Sequence, residues 1–266
     1  QLNKIVGSET FNGSLFLLPK DCRLTELTLE GISNIQGDFQ CKDYFYVKEF
    51  VMPFIRVAGN MTIALNSGSV NTEAEIEFPN LLEIGGTLTL ENNKNANNIT
   101  FPSLKKILGS CSVTTSHLKN DIEFTNLESI GTDGANAQIK FEIDGTNILC
   151  PKLKTINGKF DITTSTVIFD MEADQVSYPN VESISENLSI TCPYSDFGSN
   201  GILSIDFSGL KSVKGISISG QGDVTDFSSF KYLFENNVLT GESQWSVREC
   251  AYNPTYQDMK NGKYKQ

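Results

Sequence analysis

Six cysteines, one histidine, four Asn-x-Ser/Thr sequons and two tight acidic groups are the parts of this sequence that could do chemistry. The cysteines are Cys22, Cys41, Cys111, Cys150, Cys192 and Cys250. No two form a Cys-x-x-Cys pair, which argues against zinc or thioredoxin-like chemistry and for disulfides, whose pairing spacing alone does not give. The sequons start at Asn12, Asn60, Asn98 and Asn187, each an acceptor for an N-glycan in an exported chain. His117 leaves no stock of imidazoles for a metal site and reads as a loop residue after a strand. Asp170-Met-Glu-Ala-Asp174 and Asp223-Val-Thr-Asp226 are the candidates for the paired carboxylates that polysaccharide-cleaving enzymes use. Both fall in spacers, away from any strand column that would hold two carboxylates at a fixed separation. Gly131-Thr-Asp-Gly-Ala-Asn136 carries oxygen ligands without EF-hand spacing. No catalytic, cofactor-binding or metal-ligating residue is therefore assigned.

Charge and composition narrow the partners. With 21 basic and 32 acidic side chains the net charge is −11, the wrong sign for a nucleic-acid surface. Hydrophobic residues at 39% and charged residues at 20% fit a folded chain rather than a disordered one. The longest apolar runs, such as Leu15-Phe16-Leu17-Leu18, fall far short of the ~20 residues of a membrane span. The chain opens on Gln1 rather than Met, as it would after removal of a secretory signal. Together with the even cysteines and the sequons, this points to secretion.

The elements that must carry these residues repeat. Phe78-Pro-Asn-Leu-Leu-Glu-Ile-Gly-Gly-Thr-Leu-Thr-Leu90 is the template, and copies start at Phe101, Phe124, Cys150, Tyr178 and Phe207. The copy at Phe124 needs a five-residue insertion before Ile139-Lys-Phe141. Degenerate copies surround Ile35 and Val57. The aliphatic anchors are Ile35, Val57, Ile84, Ile107, Ile130, Ile156, Ile184 and Val213, spaced 22 to 29 residues apart. Past each anchor the pattern runs apolar, polar, apolar, as in Leu88-Thr-Leu90 and Phe160-Asp-Ile162. Period two with one apolar side is a strand with one buried face.

Eight such units predict a mostly β fold: a right-handed parallel β-solenoid of about eight coils, one domain over 1–266. Residues 35–219 form the coils. Residues 1–34 and 220–266 break the repeat and read as N- and C-terminal caps, with a short helix at 227–234. A Cys22–Cys41 bridge would clamp the first cap, one pairing among those open. The polar strand positions Thr62, Thr87, Thr89, Ser112, Asp161 and Ser189 form a candidate ligand surface, for glycan or protein. Glycans on Asn60 and Asn187, which share one repeat position, would crowd that face. Tyr44-Phe45-Tyr46 and Trp245, the one tryptophan, are aromatics that could stack on sugar rings or fill the caps. Asn92-Asn-Lys-Asn-Ala-Asn-Asn98 reads as a polar loop tip with Asn98 as its glycosylation site.

The aromatic-Pro-x-Leu-x-x-Ile-x-Gly-x-Leu-x-Ile unit resembles the receptor L-domain repeat, a β-helix-like relative of leucine-rich repeats. Over roughly residues 24–218 it is most similar to the fungal branch, GPI-anchored cell-wall glycoproteins of the sporulation-specific family. That resemblance implies a non-enzymatic glycoprotein organising or bridging cell-wall polymers, including spore walls, with wall polysaccharide or wall glycoproteins as partners. It brings no catalytic residues and no cofactor. The chain carries no Ser/Thr-rich stalk and no apolar tail, so a lipid anchor is implied by kinship alone. The alternative is a receptor-type ectodomain that binds a secreted protein on its sheet face; a β-helix polysaccharide-cleaving enzyme ranks third.

Overall fold

A computed structural model describes residues 4–18, 28–42, 49–64, 74–93, 96–115, 118, 120–134, 136–143, 146–164, 174–192, 202–220 and 223–266. Cys22, Tyr44-Phe45-Tyr46, His117 and all of Asp170-Met-Glu-Ala-Asp174 except its last residue lie outside them. With 45% of residues in strands and 8% in helices, the fold is mostly β, a parallel β-solenoid.

Three walls enclose the core. The broad wall has ten parallel strands. It runs from Leu15–Leu17 through Phe39–Lys42, Met61–Ala64, Leu88–Leu90, Cys111–Thr114, Ala137–Ile143, Gly158–Thr164, Asn187–Cys192 and Gly215–Gly220 to Trp245–Arg248. A corner wall has eight two-residue strands, from Thr10–Phe11 to Ser183–Ile184, and the steps between them make about seven turns. The third wall has five strands, Glu49–Val51, Ala74–Glu77, Ala96–Thr100, Ile122–Glu123 and Ile148–Leu149. A separate pair, Asp174–Ser177 with Ile202–Asp206, precedes the same turn in the later coils.

Register turns the sequence columns into physical ones. Phe11, Ile35, Val57, Ile84, Ile107, Ile130, Ile156 and Ile184 are successive partners along the corner wall. From Ile35 onward they are buried. Val213 follows them, its neighbour Ser212 reaching Ser183 through an isolated parallel bridge. On the broad wall Phe39, Met61, Leu88, Cys111, Ile139, Phe160, Leu188, Ile216 and Trp245 stack in register with their side chains inward. Because parallel strands repeat about every 4.8 Å, each coil lays like on like and buries its neighbour's apolar face.

The aromatic-Pro turn supplies a third buried column. Phe78, Phe101 and Phe124 stack face to face, with centroids 5.0 and 5.1 Å apart. Cys150 then takes a ring's place, and the column resumes with Tyr178 and Phe207. Tyr178 is tolerated inside because its hydroxyl donates to the Ile148 carbonyl at 3.1 Å. Burial, and after it the nearby Cys150 and Cys111 sulfurs, push its phenol pKa up.

The sheets extend beyond the coil limits read from the sequence. Thr10–Phe11 and Leu15–Leu17, inside the expected N-terminal cap, already form the first rung. Trp245–Arg248, inside the expected C-terminal cap, forms the last. The C-terminal closure is otherwise as expected. A 3-10 turn at Ser228–Phe230 runs into helix α1 (Lys231–Glu235), and helix α2 (Tyr256–Lys260) packs beside it. Thr255 starts α2 with a capping box: its hydroxyl accepts from the Asp258 amide, and Asp258 accepts from the Thr255 amide. Phe227, Phe230, Leu233, Phe234, Leu239 and Met259 cover the end of the core.

Candidate functional site: the outward face of the broad wall

Alternate side chains of the broad wall must point outward, and register sets them in rows. The central row is Phe16, Gln40, Thr62, Thr89, Ser112, Lys140, Asp161, Ser189, Ser217 and Ser246. Thr62, Thr89, Ser112, Asp161 and Ser189 were read from the sequence and share this row, each half-buried by its neighbours. Thr87 does not; it stands one position before its strand, where its N–H donates to Asn60 Oδ1 at 2.8 Å. Phe16, Gln40, Lys140, Ser217 and Ser246 were not among the candidate surface residues. Alternation within each strand could have found Lys140, Ser217 and Ser246. Phe16, 50% exposed, is the one aromatic in the row.

The rim of this face is built by side chains that hold the next coil's backbone. Ser14 Oγ accepts from the Asp38 amide at 2.9 Å, and Asp38 Oδ1 accepts from the Asn60 amide at 2.7 Å. Asn60 passes the same bond to Thr87, and Ser110 Oγ accepts from the Gln138 amide at 3.0 Å. Short polar residues recur here because each caps an amide that the strand ladder leaves over.

Charge sits at the centre of the face. Lys159 pairs with Asp161 at 2.8 Å, and Lys140 with Glu142, which also accepts from Thr114 Oγ1 at 2.9 Å. The Lys140 hydrogen bond, opposed by partial burial and helped by Thr114, holds the Glu142 carboxyl below its usual range. A carboxylate more acidic when folded contributes its stability above its unfolded pKa and loses it as pH falls through the folded pKa. Thermal unfolding across pH should therefore show the difference between wild type and Glu142→Gln largest near neutrality. The two should converge as pH falls through the lowered folded pKa, below the ordinary carboxylate range.

The other expected sites fall as follows. Asn12, Asn60 and Asn187 are exposed. Asn98 is not at a loop tip: it lies in the strand Ala96–Thr100, half-buried, with Nδ2 donating to Glu75 Oε2 at 2.7 Å. The nitrogen that a glycan would take is thus already bonded. Ala96 and Ile99 point inward, which is why this asparagine-rich run forms a strand. Trp245 is core, against Phe230 and Phe234, with Nε1 donating to the Pro254 carbonyl at 2.9 Å, so it offers no ring to a sugar. Cys41, Cys111 and Cys150 are buried free thiols, behaving as small apolar side chains with pKa values raised by burial. The Cys22–Cys41 clamp lies outside the described residues, because Cys22 does. Asp226 accepts from the Ser228 amide at 2.8 Å, a turn-capping role. Among the described residues no three of His, Cys, Asp or Glu come together as a metal site, and no helix is long and apolar enough to cross a membrane.

No family model matches this chain, and neither a curated protein nor a solved structure does.

Proposed function

We propose that this chain is a non-enzymatic extracellular glycoprotein that organises or bridges cell-wall polymers, spore-wall polymers among them. In the full-length protein a lipid anchor would hold it at the wall. The observation that carries this reading is the unbroken outward row of ten rungs, mostly Thr, Ser, Gln and charged side chains, on one continuous core. Hydrogen-bonding groups about 4.8 Å apart over roughly 43 Å suit a long polymer lying along the axis. Many weak contacts on a stiff body then add to useful avidity. The resemblance to receptor L-domain and sporulation-specific wall glycoproteins supports the same reading. The Lys140–Glu142 and Lys159–Asp161 pairs favour a second one, a secreted protein ligand, because a neutral polysaccharide does not need them.

The test is co-sedimentation of the purified chain with isolated wall glucan, chitosan and mannoprotein fractions, alongside assay for released reducing sugar. Binding to a fraction without turnover supports the scaffold; specific turnover, or no binding to any fraction, overturns it. Ser112→Arg combined with Ser189→Arg, which lays two long charged side chains across the row, should weaken that binding tenfold or more. Thermal stability should stay within about 2 °C of wild type, since both are surface positions.

A further inference from the structure

The far end of the broad wall holds two thiols that the ligand face does not use. Cys192 ends the strand Asn187–Cys192 and is buried. Its partner on the next rung is Gly220, with φ +143, where a Cβ would stand 2.6 Å from the Cβ of Cys192. Gly220 therefore puts no side chain between Cys192 and the rung that follows. On the last rung Ser219 faces Arg248 in register. Glu249 then takes φ 64, a left-handed conformation that turns the chain back. The turn is held by Asn253, which accepts from the Cys250 amide at 3.0 Å and donates to its carbonyl at 2.7 Å. Cys250 Sγ comes to 3.7 Å from the Arg248 carbonyl, just past the last rung.

We propose that Cys192 and Cys250 form a disulfide that ties the C-terminal cap to the last full coil. Each sulfur gives up its proton and one S–S bond forms. The two electrons reduce a small-molecule disulfide, such as oxidised glutathione, to two thiols. Burial, and after it the neighbouring Cys192 sulfur, pushes the Cys250 thiol up to about 11. Thiolate is the attacking species, so the folded chain should oxidise faster as pH rises. The bridge closes a long loop, removes freedom from the unfolded chain and holds α1 and α2 over the core end. It is independent of what the outward face binds.

The full chain, equilibrated with oxidised and reduced glutathione, is digested with trypsin without reduction. Cleavage after Lys159, Lys211, Arg248 and Lys260 leaves Cys192 and Cys250 each the sole cysteine of its peptide. The expected result is one joined pair that a reductant splits. Reduction should also lower the unfolding temperature by about 10 °C in wild type and leave Cys250→Ser unchanged. Recovery of both peptides unlinked, or of Cys192 joined to any other cysteine, overturns the assignment. The wild-type digest decides this even if the variant folds poorly.

Discussion

Gly109→Ala should destabilise the protein by about 3 kcal/mol or more, and Gly158→Ala at least as much. At the corner before each broad strand the coils touch backbone to backbone. The amides of Gly37, Gly59, Gly86 and Gly109 donate in turn to Gly13, Gly37, Gly59 and Gly86 at 2.9 to 3.0 Å. A Cβ on Gly109 would lie 2.7 Å from both the carbonyl carbon and oxygen of Gly86; on Gly158 it would lie 2.0 Å from the Ala137 oxygen. Neither neighbour is a flexible side-chain end, so the strain can be relieved only by separating two coils. Separation also breaks the hydrogen bond and opens the core beneath. Urea and thermal unfolding should show the loss as a fall of roughly 6–12 °C. Gly241→Ala, whose Cβ would meet nothing nearer than 3.9 Å, is the control and should change stability by under about 0.5 kcal/mol. Equal effects at Gly109 and Gly241 would contradict close stacking.

Phe101→Ala should cost about 3–5 kcal/mol. Its ring is fully buried and lies flat between Phe78 and Phe124. Removing it takes a large apolar side chain from the core and ends two stacking contacts with a single change. In a linear array each coil is stabilised chiefly by its neighbours, so a void at one level weakens both interfaces there. Unfolding of the variant should broaden or split, as coils on either side lose their coupling. A loss below about 1 kcal/mol would mean that the rings do not form a packed column.

The anchors were legible because one aliphatic residue per turn, followed by a period-two strand, is a dense local signal. The first rung was missed because Phe11 replaces the aliphatic anchor and no aromatic-Pro turn precedes it, though Gly13 matches Gly37. The last rung was missed because Trp245-Ser-Val247 follows helix α1 instead of a corner strand. The third wall was missed for another reason: its strands lie in spacers of varying length, where no column can be aligned. Asn98 misled because an asparagine-rich run reads as loop by composition, whereas its amides lock onto Glu75 across the wall. Of the ligand face, the small hydroxyl positions were readable from alternation. The pairing of Lys140 with Glu142 was not: the repeat sets Ile139-Lys-Phe141 in line, but which charge that lysine meets is settled only by side-chain geometry in the fold.

Spin labels on the outward row measure that register directly. Carried by bioorthogonal side chains so that native cysteines stay untouched, one label goes at Thr62 and the second at Asp161, Ser189 or Ser217. These lie four, five and six rungs away along the broad wall. Electron–electron distances should centre near about 19, 24 and 29 Å, rising by one strand spacing per rung. Distances that fail to rise in equal steps along this series would contradict the stacked solenoid and, with it, the continuous face assigned to polymer binding.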